Sequence, residues 1–188
     1  MNSEAAVPGE TPPVAERALA AGAIEWAAAR GLRIAVAESL TGGLLSDALV
    51  AIPGASRALS GAVVAYDTWV KHSLLGVELD LLRERGPVDE QVALQMARGV
   101  RAACAVAREP GAAPVPADIG VSTTGVAGPD PDPQTGQSAG TVWIAVSAGP
   151  REVSRRFVLA GDRAEIRSAT VRAALVLLAE EISKLTKM

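Results

Sequence analysis

Short apolar runs rich in β-branched residues alternate along this chain with longer, Ala-rich stretches of helical period, and that alternation restricts the fold more than any other feature. Residues 32–37 (LRIAVA), 59–65 (LSGAVVA) and 119–123 (IGVST) read as buried strands. Residues 141–148 (TVWIAVSA) and 153–159 (VSRRFVL) flank Gly149-Pro150 and read as a hairpin. Helices are predicted over 13–30, closed by Gly31, and over 44–52, closed before Pro53-Gly54. A short helix follows over 67–75, capped by Asp67 or Thr68, then a turn or two over 78–85. A long helix is predicted from 89–90 to about 108, and another from an Asp162 cap to 185. Strands joined through helices pair in parallel, and a hairpin pairs antiparallel, so the pattern predicts a single three-layer α/β/α domain around a mixed β-sheet. Residues 1–12 (MNSEAAVPGETP) read as a disordered tail, which leaves 13–188 as the domain, with no internal repeat. A length of 188 residues, 49% of them hydrophobic, is enough for a core of that kind.

The rarest residues narrow the chemistry. One His and one Cys cannot supply the three or four ligands of a zinc site, so no metal site of that kind is expected, and no disulfide can form within the chain. A single Cys and no recognisable signal segment point to a cytoplasmic protein. A net charge of −3 argues against a nucleic-acid partner, and no apolar run is long enough for a membrane span. Only three of the 18 basic residues are Lys, and one of them, Lys71, lies beside His72 and close to Tyr66 and Trp69.

Two loops are candidates for a site. The first strand turns through Glu38-Ser39-Leu40-Thr41-Gly42-Gly43 into a helix. This exposes a hydroxyl beside backbone N–H groups that lack intrahelical partners, a place for a phosphate or for the oxyanion formed when Ser39 attacks a carbonyl. The plainer alternative is that Ser39 and Thr41 cap the helix. The turn is neither a Walker A loop nor a Gly-x-Ser-x-Gly elbow. A serine nucleophile needs a base, and His72 and Lys71 are the candidates. On one helix their side chains diverge by about 100°, so both cannot easily face the site. Tyr66 could relay a proton, although Tyr66 and Lys71 are five residues apart and do not form the Tyr-x-x-x-Lys pair of short-chain dehydrogenases. The second loop, Thr123-Thr124-Gly125-Val126-Ala127-Gly128-Pro129-Asp130, follows a strand end, where ligands bind in α/β sheets. Arg163 and Arg167, at the start of the last helix, are candidates for a phosphate or carboxylate clamp. Cys104 and the three Trp residues read as packing.

Several ordered blocks resemble the CinA C-terminal domain family. They are Ala37-Glu38-Ser39-Leu40-Thr41-Gly42-Gly43, Pro53-Gly54-Ala55-Ser56, Gly61-Ala62-Val63-Val64-Ala65-Tyr66 and Lys71-x-x-Leu-Leu-Gly-Val77. Thr124-Gly125-Val126-Ala127-Gly128-Pro129, Gly140-Thr141-Val142 and Gly161-Asp162-Arg163-x-x-Ile-Arg167 complete the set, which spans residues 14–185. Members of this family are similar to nicotinamide-nucleotide amidases of the pyridine nucleotide cycle, which hydrolyse nicotinamide mononucleotide to nicotinate mononucleotide and ammonia. The resemblance implies Ser39 as nucleophile, assisted by Lys71 and Tyr66. Thr41, Gly42, Gly43, Thr124, Gly125, Gly128 and Arg163 are then the candidate substrate-binding residues, and no cofactor is implied. It also implies a homodimer, without indicating an interface. The chain departs from the fused form of the family, having no nucleotide-hydrolase domain before this one, and so reads as a stand-alone amidase domain. It also has Gly86-Pro87-Val88-Asp89 where relatives carry a Ser, and an Asp/Pro-rich loop over 129–138 where relatives are Gly-rich. Two rival readings use the same pocket: a regulatory module that binds a nucleotide without turnover, and a serine amidase for another small amide.

Overall fold

The structure is a computed structural model describing residues 13–185; the tail expected over 1–12 and the final three residues lie outside the described range. Among the described residues five strands form one mixed sheet in the order β2-β1-β3-β4-β5. They are β1 (Ile34–Glu38), β2 (Leu59–Val64), β3 (Ile119–Gly125), β4 (Thr141–Ala148) and β5 (Arg151–Val158). β1 pairs in parallel with both β2 and β3, and the β3–β4 and β4–β5 pairs are antiparallel. The three-layer α/β arrangement expected from the sequence is the observed one.

Among the described residues six α-helices accompany the sheet: α1 (Pro13–Ala29), α2 (Leu44–Val50), α3 (Thr68–Ser73), α4 (Leu79–Arg85), α5 (Glu90–Ala103) and α6 (Arg163–Leu185). A short 3₁₀ turn, Ala55–Arg57, leads into β2. The two faces of the sheet differ in side-chain size. Ile34, Val36, Ile119, Val121, Ile144 and Val146 pack with α1, α2 and α6 in the larger core. The opposite face presents Ala35, Ala37, Gly120, Ser122 and Ala145, all small, and α5 lies close against it. A Cβ on Gly120 would sit 1.9 Å from the Ala97 carbonyl oxygen, so the residue there can only be glycine. Ser122 Oγ donates to the Ala93 carbonyl at 2.6 Å, tying β3 to the same helix.

Two element ends differ from expectation. The long helix stops at Ala103 instead of near Arg108, because Cys104 leaves helical geometry and Val106 exchanges two backbone hydrogen bonds with Val115. β5 starts at Arg151, two residues early, because Gly149-Pro150 is a two-residue turn that pairs Ala148 directly with Arg151. The Asp162 cap is as expected: its carboxylate accepts from the N–H groups of Ala164 and Glu165, and Glu165 accepts from the N–H of Asp162, a reciprocal capping box. No helix among the described residues is long and apolar enough to cross a membrane.

β1 lies between β2 and β3, so the crossovers from its two sides leave in opposite directions. The crevice at the carboxyl ends of β1, β2 and β3 is where such sheets bind ligands.

Candidate active site

Ser39 follows the last residue of β1, and its N–H continues the ladder by donating to the Thr123 carbonyl at 3.0 Å. The chain then turns through Gly42 and Gly43, at φ 58° and 99°, left-handed values that glycine adopts without strain. The α2 helix that follows is capped from an unexpected source. Glu38, fully buried, accepts from the N–H groups of Gly43 (2.9 Å) and Leu45 (3.1 Å) through one carboxylate oxygen. Its other oxygen accepts from the Ser46 N–H at 2.8 Å and from the Ser46 hydroxyl. Gly42 N–H donates to the Ser39 carbonyl at 3.1 Å and Leu44 N–H to the Thr41 carbonyl at 3.3 Å. Neither Ser39 nor Thr41 caps α2; Thr41 Oγ1 instead shares a 2.8 Å hydrogen bond with Thr123 Oγ1. The N–H groups of Gly42 and Gly43 are therefore engaged within the protein, which leaves them no part in receiving an anion.

Lys71 sits on α3, which is capped by Asp67, whose carboxylate accepts from the Trp69 N–H at 2.8 Å. The lysine is 1% exposed. Its Nζ donates to Ser39 Oγ at 2.8 Å and to the Ala65 carbonyl at 2.7 Å. Burial lowers its pKa from 10.5 to about 8, and the nearby negative charge of Asp67 opposes that shift in part. His72, the next residue, is exposed and pairs through Nδ1 with the Val77 carbonyl at 2.8 Å. Of the two candidate bases, the lysine faces the serine.

Tyr66 is placed differently. Its ring is largely exposed, and its hydroxyl accepts from Arg163 Nη2 at 2.7 Å, while Arg163 Nη1 donates to the Gly128 carbonyl at 2.7 Å. The hydroxyl has no hydrogen bond to Ser39 or Lys71. Arg167, the other candidate clamp, is committed elsewhere: Nε and Nη2 donate to the carbonyls of Leu40 and Thr41, both at 2.9 Å.

A cleft of about 420 Å³ opens over these groups. Ser39, Leu40, Tyr66, Lys71, Thr124, Gly125, Gly128, Asp130 and Arg163 line it; Thr41, Gly42 and Gly43 do not. The Thr124 hydroxyl, expected to face a ligand, donates to the Pro87 carbonyl at 2.6 Å. Gly125 is required by the sheet, since a Cβ there would lie 2.7 Å from the Thr141 carbonyl oxygen. The Asp/Pro-rich loop is anchored by Gln134, which donates to the carbonyls of Leu82 (2.9 Å) and Arg83 (3.1 Å), and by Gln137, which donates to Val88 at 2.8 Å.

Glu38 and the backbone role of Arg167 are the residues that sequence reasoning missed. A signal for Glu38 exists: at strand period it shares a face with Ile34 and Val36, which places an acid in line with a buried stripe.

The CinA C-terminal domain profile matches residues 16–182. A putative competence-damage inducible protein from Desulforamulus reducens is 48% identical over 145 residues, 77% of this chain and 32% of that protein. A CinA-like protein from Frankia casuarinae is 42% identical over 149 residues, 79% of this chain and 31% of that protein. The chain thus spans about a third of the length of the curated relatives it matches. Among solved structures, competence/damage inducible protein CihA from Agrobacterium tumefaciens superposes with a TM-score of 0.78 at 31% identity, covering 95% of this chain and 99% of that one. A CinA superfamily protein from Enterobacter cloacae gives 0.80 at 26% identity, covering 97% and 99%. With a profile match across nearly all the described residues and structural neighbours aligned end to end, this chain belongs to the CinA C-terminal domain family.

Proposed function

We propose that the chain is a serine amidase that hydrolyses nicotinamide mononucleotide to nicotinate mononucleotide and ammonia. The observation that carries this reading is the buried 2.8 Å contact between Lys71 Nζ and Ser39 Oγ, with the lysine pKa lowered to about 8. A binding module has no need of a desolvated amine against a serine hydroxyl; an acyl-transfer enzyme does. In the neutral amine the contact reverses, and Ser39 O–H donates to the Nζ lone pair.

Ser39 Oγ attacks the carboxamide carbon as Lys71 takes its proton. The resulting ammonium returns a proton to the departing nitrogen, the C–N bond breaks, and ammonia leaves an ester on Ser39. Water then attacks the ester, giving a proton to Lys71, which passes it to Ser39 Oγ as the acid is released. The Tyr66 oxygen accepts from Arg163, so its own hydrogen remains to donate to the substrate, and the guanidinium makes that hydrogen a better donor. The substrate identity rests on the resemblance set out above, as does a homodimeric assembly; a cytoplasmic location is proposed on the single Cys.

The testing experiment is ammonia release from nicotinamide mononucleotide, with intact-mass detection of the acyl-enzyme on Ser39. A second reading, a serine amidase for another small amide, is favoured by one observation: two of Arg163's N–H groups are already bonded to Gly128 and Tyr66, so a phosphate must share that guanidinium. Turnover of a neutral amide panel, with none of the mononucleotide, would establish that alternative.

A further inference from the structure

The backbone N–H groups from Ser39 to Ser46 sort into two sets. Six have partners: Ser39, Gly42 and Leu44 donate to backbone carbonyls, and Gly43, Leu45 and Ser46 donate to Glu38. Leu40 and Thr41 donate to nothing in the described protein, although their residues are only 3% and 0% exposed. A buried, unpaired N–H is rare in native structures and destabilising, so two in succession beside a nucleophile call for a cause.

We infer that the N–H groups of Leu40 and Thr41 form the oxyanion-binding site of this protein, and that Glu38 and Arg167 hold them in that role. In a trans peptide the C=O and the following N–H point in opposite directions. The Leu40 carbonyl is bound to Arg167, which turns the Thr41 N–H away from that guanidinium. The Ser39 carbonyl is bound to Gly42 N–H inside the turn, which turns the Leu40 N–H outward from it. Leu40 lines the cleft beside Ser39 and is the first donor; Thr41 lies behind that lining, fully buried, and is the second. Donation by the residue after the nucleophile is a recurring solution in serine hydrolases, because the two groups are then fixed to each other by the chain. Glu38 engages the donors further along, so the start of α2 does not compete for the charge. As Ser39 Oγ bonds to the carbonyl carbon, the π pair moves onto oxygen, and that O⁻ accepts from Leu40 and Thr41. When ammonia departs, the pair returns.

This assignment rests on the reading that Ser39 is acylated, and the test separates the two. The Leu40 or Thr41 amide is replaced by an ester in the full chain, using the matching α-hydroxy acid, with Ala51, whose N–H donates to the Asp47 carbonyl at the far end of α2, as the control position. Each of the first two esters is expected to lower kcat by about 10²–10³-fold with KM little changed, whereas the Ala51 ester keeps kcat within a few-fold of wild type. Wild-type kcat in both the Leu40 and Thr41 esters, with Ser39 still acylated, overturns the oxyanion assignment alone. Absence of any Ser39 adduct in the unmodified enzyme overturns both. A measurement free of folding effects uses the wild-type chain with pyridine-3-boronic acid, whose tetrahedral adduct on Ser39 mimics the oxyanion. The Leu40 and Thr41 amide protons are expected to move downfield on binding; movement at Gly42 and Gly43 in their place overturns the proposal.

Discussion

Lys71 has two conflicting properties. Its burial makes it a usable base, and the same burial opposes its charge. With a pKa of about 8, about one lysine in ten is neutral at pH 7, and the base form dominates above pH 8. The rate of Ser39 acylation is therefore expected to rise with pH and level off above about 8, as a single-turnover pH series would show. Ser39→Ala and Lys71→Ala are each expected to lower kcat at least about a hundredfold, measured as ammonia release; a Ser39→Ala enzyme at the wild-type rate would remove the nucleophile assignment. Stability also rises with pH, over a higher window. The folded pKa lies below the unfolded 10.5, so the folded state binds fewer protons between about 8 and 10.5 and stability rises with pH across that window. Below pH 8 the full penalty, about 3 kcal/mol, is present. Lys71→Met removes it but leaves the Ala65 carbonyl without its donor, which returns about 1 kcal/mol or more. The variant is expected to be inactive yet more stable at pH 7, with the advantage shrinking toward pH 10.5 in chemical denaturation.

At the level of elements, α5 and the turn into α2 depend on single residues. Gly120→Ala would place a methyl 1.9 Å from the Ala97 carbonyl oxygen, so α5 must move off the sheet. We expect a loss of about 3 kcal/mol or more by urea unfolding. Glu38→Gln keeps the shape of the side chain but puts an NH₂ group against N–H donors. It is expected to lower stability by about 1–3 kcal/mol and to lower kcat, since it loosens the turn that carries Ser39. The strands and the α5 cap at Asp89 are legible in the sequence because period, β-branching and capping are local signals. Glu38 is not legible in the same way. A glutamate before a serine looks like an exposed strand end; its alignment with Ile34 and Val36 is a faint signal, and the packing of α2 over β1 is what encloses it. The end of α5 is misread for a related reason: the sequence through Arg108 remains a good helix former, and the bridge between Val106 and Val115 overrides it.

For the whole molecule, the site is gathered from distant parts of the chain. Ser39 and Lys71 are 32 residues apart, Tyr66 and Arg163 are 97 apart, and Leu40 and Arg167 are 127 apart. Tyr66 and Lys71 are legible as a pair through their rarity, yet the arginine that holds the tyrosine gives no sign of that contact locally. Ligand binding should tighten the whole assembly: with the chemistry blocked in Ser39→Ala, nicotinamide mononucleotide at about 100 times its Kd is expected to add about 2.7 kcal/mol of stability, visible as a raised Tm. No shift at saturating ligand would argue against that substrate.

The two arginines at the start of α6 also bear on how such a domain travels through evolution. Every side chain named in the site lies between Glu38 and Arg167, and the curated relatives are about three times as long as the region they share with this chain. A site drawn from the ends of three strands, a short helix and the start of α6 cannot be inherited piecemeal; a break anywhere inside it separates the groups. The smallest unit that can be moved between proteins with its chemistry intact is therefore nearly the entire domain. Fusion to other domains can then rearrange its neighbours without rewriting the site.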